Sequence, residues 1–122
     1  MTLEQRAQQF WSVLVFAARE QKLVSYSMLS QITGFSEAGI VLHCLSGYCR
    51  QHNLPQLNVI AIDPAVGRPG DVRDWSAQQS RVFLYDWLQH PAPSEEMFRE
   101  AMIQDEELER ADADYIDVPC RC

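Results

Sequence analysis

Apolar positions recur every three to four residues from the start of the chain. Ala7, Phe10, Trp11, Leu14, Ala17 and Ala18 fall on one side of a 3.6-residue repeat. Thr2 precedes that run and Gln5 follows it by three, the pattern of a capping box, so the spacing predicts an amphipathic first helix to about Lys22. Ser25 is a second cap: "YSMLSQIT" reads as one short helix with Met28, Leu29 and Ile32 turned inward, and Gly34 supplies a left-handed stop. Ser36 then opens a third helix, 36–52, with Ile40, Val41, Cys44, Leu45 and Tyr48 as its apolar face. Three helices in this order, with a tight turn between the second and third, describe a helix-turn-helix arrangement.

The pattern changes after residue 56. "LNVIAID" is apolar and β-branched, and "DPAVGRPGD" places Pro and Gly where a ribbon would reverse. Two readings stand, a core strand followed by a loop, or the wing, 57–72, of a winged helix. "SAQQSRVFLYDWLQH" brings Val82, Phe83, Tyr85, Trp87 and Leu88 close together and reads as a helix, although "RVFLYDW" also fits a strand. Pro91 and Pro93 end it, and Ser94 opens a last helix whose thin apolar stripe is Met97, Ala101, Met102 and Leu108. "ADADYIDVPCRC" is an extended tail in which Tyr115, Ile116 and Val118 can dock as an edge strand. The expected fold is mainly α with a small β wing: a winged helix-turn-helix core over 1–93, and an acidic C-terminal helix and tail, 94–122, packed on or extending from it.

Composition supports one folded domain. The 122 residues are 47% apolar and 22% charged, enough to build a single core. No apolar run approaches the roughly 20 residues that span a bilayer, and "MTLEQRAQQF" lacks the basic and apolar regions of a secretion signal, so the expectation is a cytoplasmic protein with no membrane partner. The net charge of −7 is unevenly placed. Seven cations and seven anions cancel over residues 1–90, while 91–122 carry three cations against ten anions. Glu106, Glu107, Glu109, Asp112 and Asp114 form the densest part of that excess. It is either a solvated surface or a charge-steered contact to a basic partner.

Catalytic chemistry finds little support. Cys44 and Cys49, five residues apart on a helix, point about 140° from each other, and Cys120 and Cys122 close the chain, a poor spacing for a zinc tetrahedron; no metal and no cofactor are expected. His43, His52 and His90 are scattered. "GRPGD" lacks the glycine spacing and the Lys of a phosphate loop. Glu95-Glu96 and Glu106-Glu107 lie where nothing would raise one carboxyl into an acid.

"FWSVLVFAAREQKLVSYSMLSQITG", followed by "LHCLSGYCRQHNLPQLNVIAIDPAVGRPG", resembles the C-terminal winged-helix domain of the alkylguanine-DNA alkyltransferases and alkyltransferase-like proteins. The likeness runs over about residues 10 to 90 and is carried by Val24, Ser25, Tyr26, Leu29, Gly34, Leu54, Pro55, Val59 and Gly67. In that family a "P-C-H-R-V" segment precedes the wing: the thiolate attacks the alkylated base, the His deprotonates the thiol through a water, and an Arg on the recognition helix fills the gap left by the flipped base. Here the resemblance puts Gln56 at the nucleophile, Leu57 at the His, Asn58 at the Arg, and Ile40, beside Glu37 and Gly39, at the intercalating Arg.

Two function classes follow. The first is a non-catalytic interaction protein that binds a protein partner, such as a nucleic-acid-handling one, through its helical face and acidic segment. The second is a DNA-binding regulator that uses the recognition helix 36–52 and the wing 57–72. The candidate recognition residues are Glu37, His43, Ser46, Arg50 and Gln51, with Arg68 and Arg73 on the wing. One cation among the five helix residues predicts weak DNA binding, because few phosphates would be neutralised. The first class is therefore favoured.

Overall fold

The computed structural model of the protein describes residues 1–63, 65, 67, 69 and 75–104. It is mainly helical with a two-stranded parallel sheet. Helix α1, Leu3–Arg19, starts at the expected capping box: Thr2 N–H donates to Gln5 Oε1 at 2.9 Å and Gln5 N–H to Thr2 Oγ1 at 3.2 Å. All six residues of the predicted stripe are buried.

The helix stops three residues short of Lys22, on a Schellman motif: Lys22 N–H reaches Ala17 C=O at 2.9 Å and Gln21 N–H reaches Ala18 C=O at 3.0 Å. Gln21 takes the left-handed conformation usually given to Gly, with φ 55°. That is why no stop was legible there. The third helix ends in the same way on Asn53, φ 55°, with Leu54 N–H bonded to Cys49 C=O at 2.9 Å.

Strand β1, Val24–Ser25, leads directly into α2, Tyr26–Thr33, which Ser25 caps by accepting from Met28 N–H at 3.0 Å. Gly34 ends α2 at φ 74°, as predicted. Only Leu29 of the expected inward set is buried. Met28 and Ile32 are 49% and 58% exposed, which corrects the apolar face assigned to this helix. Eight residues make little more than two turns, so one buried anchor is all that α1 and α3 cover.

Helix α3 runs Ala38–Gln51, with Glu37 and not Ser36 at its cap position. Val41, Cys44, Leu45 and Tyr48 are buried as expected, but Ile40 is half exposed. The segment read as a strand, "LNVIAID", is mostly a 3-10 turn, Leu57–Ile60, followed by β2, Ala61–Ile62. β2 pairs in parallel with β1, Val24 opposite Ala61 and Ser25 opposite Ile62. The turn buries all four of its residues between α1, α3 and helix α4, Trp75–Leu84, which is tied to it by Gln79 Nε2–H donating to Val59 C=O at 2.9 Å.

The helix predicted through residue 90 breaks at Leu84; a separate 3-10 turn, Trp87–Gln89, follows and leaves Leu88 70% exposed. Asp86 caps that turn, accepting from Leu88 N–H at 3.2 Å, and so competes with continued helix. Residues 95–104 form a further helix, α5, capped by Ser94. Ala101 is buried and Met102 partly buried, as the pattern placed them, but Phe98 and not Met97 fills the first position of the stripe, Met97 being exposed. Leu108, the tail with Tyr115, Ile116 and Val118, and residues 64, 66, 68 and 70–72 of the proposed wing lie outside the described residues.

Trp11 sits where these helices meet. Its ring makes edge contacts with Tyr48 at 5.5 Å, Trp87 at 5.7 Å and Phe98 at 6.2 Å. One α1 side chain thereby joins α3, the 87–89 turn and α5 into a single core.

Candidate interaction site

Within α3 the residues at 39, 40, 43 and 50 are exposed, at the period of one helical stripe. Glu37 precedes the stripe and caps no N–H group with its side chain. His43 and Arg50 lie on the surface. Ser46 is half-buried and turned to the chain behind: its Oγ–H donates to Gln56 Oε1 at 2.7 Å. Gln51 faces α5, where its Nε2–H donates to Ala101 C=O at 2.9 Å. The five helix residues therefore divide, three at the surface and two joined to the next elements. Arg68, Arg73, Glu106, Glu107, Glu109, Asp112 and Asp114 lie outside the described residues.

Behind the stripe, the second half of the segment "PQLN" is built into the core, while Pro55 and Gln56 are half-buried. Leu57 is fully buried and Asn58 is 8% exposed. The Asn58 Oδ1 atom is buried without a hydrogen-bond partner, a cost of about 1–3 kcal/mol.

A second polar cluster lies at the end of α3. Tyr48 Oη and His90 Nε2 are 3.0 Å apart, His52 stacks on Tyr48 at 4.2 Å, and the two imidazoles are 6.4 Å apart. Burial beside the aromatic core pushes the His90 pKa down, and the His52 charge adds to that; burial likewise pushes the Tyr48 phenol up. Both groups are thus held neutral near pH 7. The Cys49 thiol, buried against the Leu57 turn, is pushed up to about 12, and Cys44 is also buried. Cys49 therefore presents no thiolate. Among the described residues no three His, Cys, Asp or Glu side chains converge on a common point that a metal could occupy, and no helix is long and apolar enough to cross a membrane.

The feature that periodicity did not reveal is a groove of about 560 Å³ between α1, β1 and α2. Phe16, Leu23, Met28 and Ile32 line it at 49–67% exposure, and Glu20 and Lys22 sit at its edge. Phe16 also borders a second hollow of about 390 Å³, shared with Trp11, Trp87, Leu88 and His90. Phe16 carried a signal in the sequence, because it lies outside the α1 stripe that the other large apolar residues follow.

Comparison with protein-family models, with curated proteins and with solved structures finds no match for this chain.

Proposed function

We propose that this protein is a non-catalytic interaction module of winged-helix type that binds a protein partner through the outward stripe of α3 and the acidic C-terminal segment. The observation that carries the reading is the composition of that stripe: an apolar side chain, Ile40, 51% exposed, stands beside Glu37 and His43. A phosphate backbone would meet an anion there, whereas a protein surface can desolvate Ile40 as an anchor.

The absence of catalysis is part of the same proposal. The resemblance to the alkyltransferases aligns Gln56 with the nucleophile, and Gln56 is engaged by Ser46, next to a fully buried Leu57. A carboxamide in that bond has no thiolate to offer. Orphaned buried Asn58 Oδ1 adds an acceptor, not a base, to the segment.

The experiment is a capture assay from native lysate, comparing the wild-type chain with Ile40→Asp and with Glu106, Glu107 and Glu109 reversed to Lys. Specific proteins lost with both variants, at unchanged melting temperature, are expected. Capture that is indifferent to both variants overturns the reading. A duplex DNA titration at physiological salt separates it from the regulator: binding no tighter than about 10⁻⁴ to 10⁻⁶ M is expected, and sequence-dependent nanomolar binding would favour the regulator.

A further inference from the structure

We infer that the α1–α2 face pairs two copies of this chain. Phe16, Leu23, Met28, Ile32 and Leu88 are 67%, 51%, 49%, 58% and 70% exposed on contiguous hollows that share the Phe16 ring. At these exposures five side chains of this size leave on the order of 400 Å² of apolar surface. That is in the range of the largest patch a monomer carries, and near the apolar share of the roughly 800 Å² that each partner gives to a stable interface.

The shape selects a second copy as the occupant. A two-fold interface must be self-complementary, each surface supplying both the projection and the recess that receives it. Here the projection is Phe16, and the recess beside it is walled by Val13, Ala17, Leu23, Met28 and Ile32. A two-fold axis between them seats each Phe16 ring in the recess of the other copy. Charge agrees with this. The recess is lined by one anion, Glu20, and one cation, Lys22, with Arg19 in the adjoining hollow, so the same operation can set Glu20 of each copy against Lys22 of the other, twice. The net charge of −7 that would repel two copies resides in residues 91–122, while residues 1–90 are neutral. The backbone favours such a use as well: Gln21, φ 55°, turns the chain sharply after α1 and thereby lifts Leu23 to the same face as Phe16.

The inference is independent of the partner-binding stripe on α3, which lies on another helix. Sedimentation equilibrium over about 1–100 μM tests it, that span covering the affinities common for weak to moderate self-association. The weight-average mass of the wild-type chain is expected to rise toward twice the monomer mass. Phe16→Asp should weaken the association at least about tenfold, since it removes an aromatic anchor and buries a charge. Because Phe16 is two-thirds exposed, the variant should keep its helical circular dichroism. Glu20→Lys should weaken pairing, and adding Lys22→Glu should restore it; this exchange leaves the core untouched and keeps the test decisive if Phe16→Asp misfolds. A wild-type mass that stays monomeric at 100 μM, or a dimer that ignores Phe16→Asp and the charge exchange alike, overturns the inference, the first assigning the face to a different protein and the second placing self-association elsewhere.

Discussion

Ser46 Oγ–H donates to Gln56 Oε1 at 2.7 Å, tying the middle of α3 to the segment "PQLN" that follows it. The hydroxyl is half-buried, so a replacement that removes the acceptor leaves it short of a partner. Gln56→Leu is expected to lower stability by about 1 kcal/mol, read from urea denaturation. Gln56→Cys should gain no alkyl transfer from an oligonucleotide containing alkylguanine, because Leu57, fully buried, provides no base beside the new thiol. Stoichiometric labelling of the Cys variant would contradict both this prediction and the non-catalytic proposal.

Phe98 and Met97 are neighbours on α5 with opposite environments, fully buried and 38% exposed. Phe98→Ala should cost about 3–5 kcal/mol and Met97→Ala less than about 1 kcal/mol. The contrast, measured by thermal melts, tests the register of α5 against Trp11. It also implies that a chain cut after Pro93 loses part of its core, so truncations aimed at the acidic segment should begin after Gln104.

His90 predicts a pH dependence with a definite sign. Its folded pKa lies below the ordinary 6.5, so between those two values the unfolded chain binds more protons than the folded one. Stability contributed by the neutral ring is complete above pH 6.5 and declines as pH falls below it, levelling off beneath the folded pKa. Glu4 acts in a lower window. Its own backbone N–H at the start of α1 is the main cause that holds its pKa below the ordinary 4.5, and that contribution is lost as pH falls further. The melting temperature of wild type should drop between pH 7 and 5, and His90→Gln should flatten that limb while leaving the limb below pH 4.5. A limb identical in both proteins would show that His90 is not its origin.

Cys44 and Cys49 should be inert in the folded protein. With Cys120 and Cys122 changed to Ser, modification by a disulfide reagent at pH 8 is expected to be suppressed by about 100-fold or more relative to the unfolded chain, because burial holds Cys49 near 12. Fast native labelling would show that the α3 thiols open to solvent.

Asn58 offers the reverse case, a substitution expected to stabilise. Its buried Oδ1 lacks a partner, so Asn58→Leu, which keeps the branched outline of the side chain, removes a desolvated acceptor and should raise stability by roughly 1 kcal/mol, or about 4 °C in melting temperature. A loss of stability would mean that the carboxamide is satisfied in solution.

The sequence alone determined what depends on local periodicity and capping. The α1 stripe, the Thr2–Gln5 box, the Ser25 and Ser94 caps and the Gly34 stop are each fixed by residues within four positions of one another, and all are found where the pattern places them. Helix ends at Gln21 and Asn53 were not legible at α1 and only approximately so at α3, because a left-handed residue other than Gly is held there by closing hydrogen bonds and not announced by its own preference. Only the tertiary structure decided which apolar residues stay uncovered. Met28, Ile32 and Ile40 follow patterns that read as inward, but a helix is buried only as far as its neighbours reach, and those neighbours cover Leu29 on α2 and Val41 on α3. The parallel pairing of Val24–Ser25 with Ala61–Ile62 is likewise non-local: two-residue strands 37 positions apart have no period of their own, and the intervening helices bring them together.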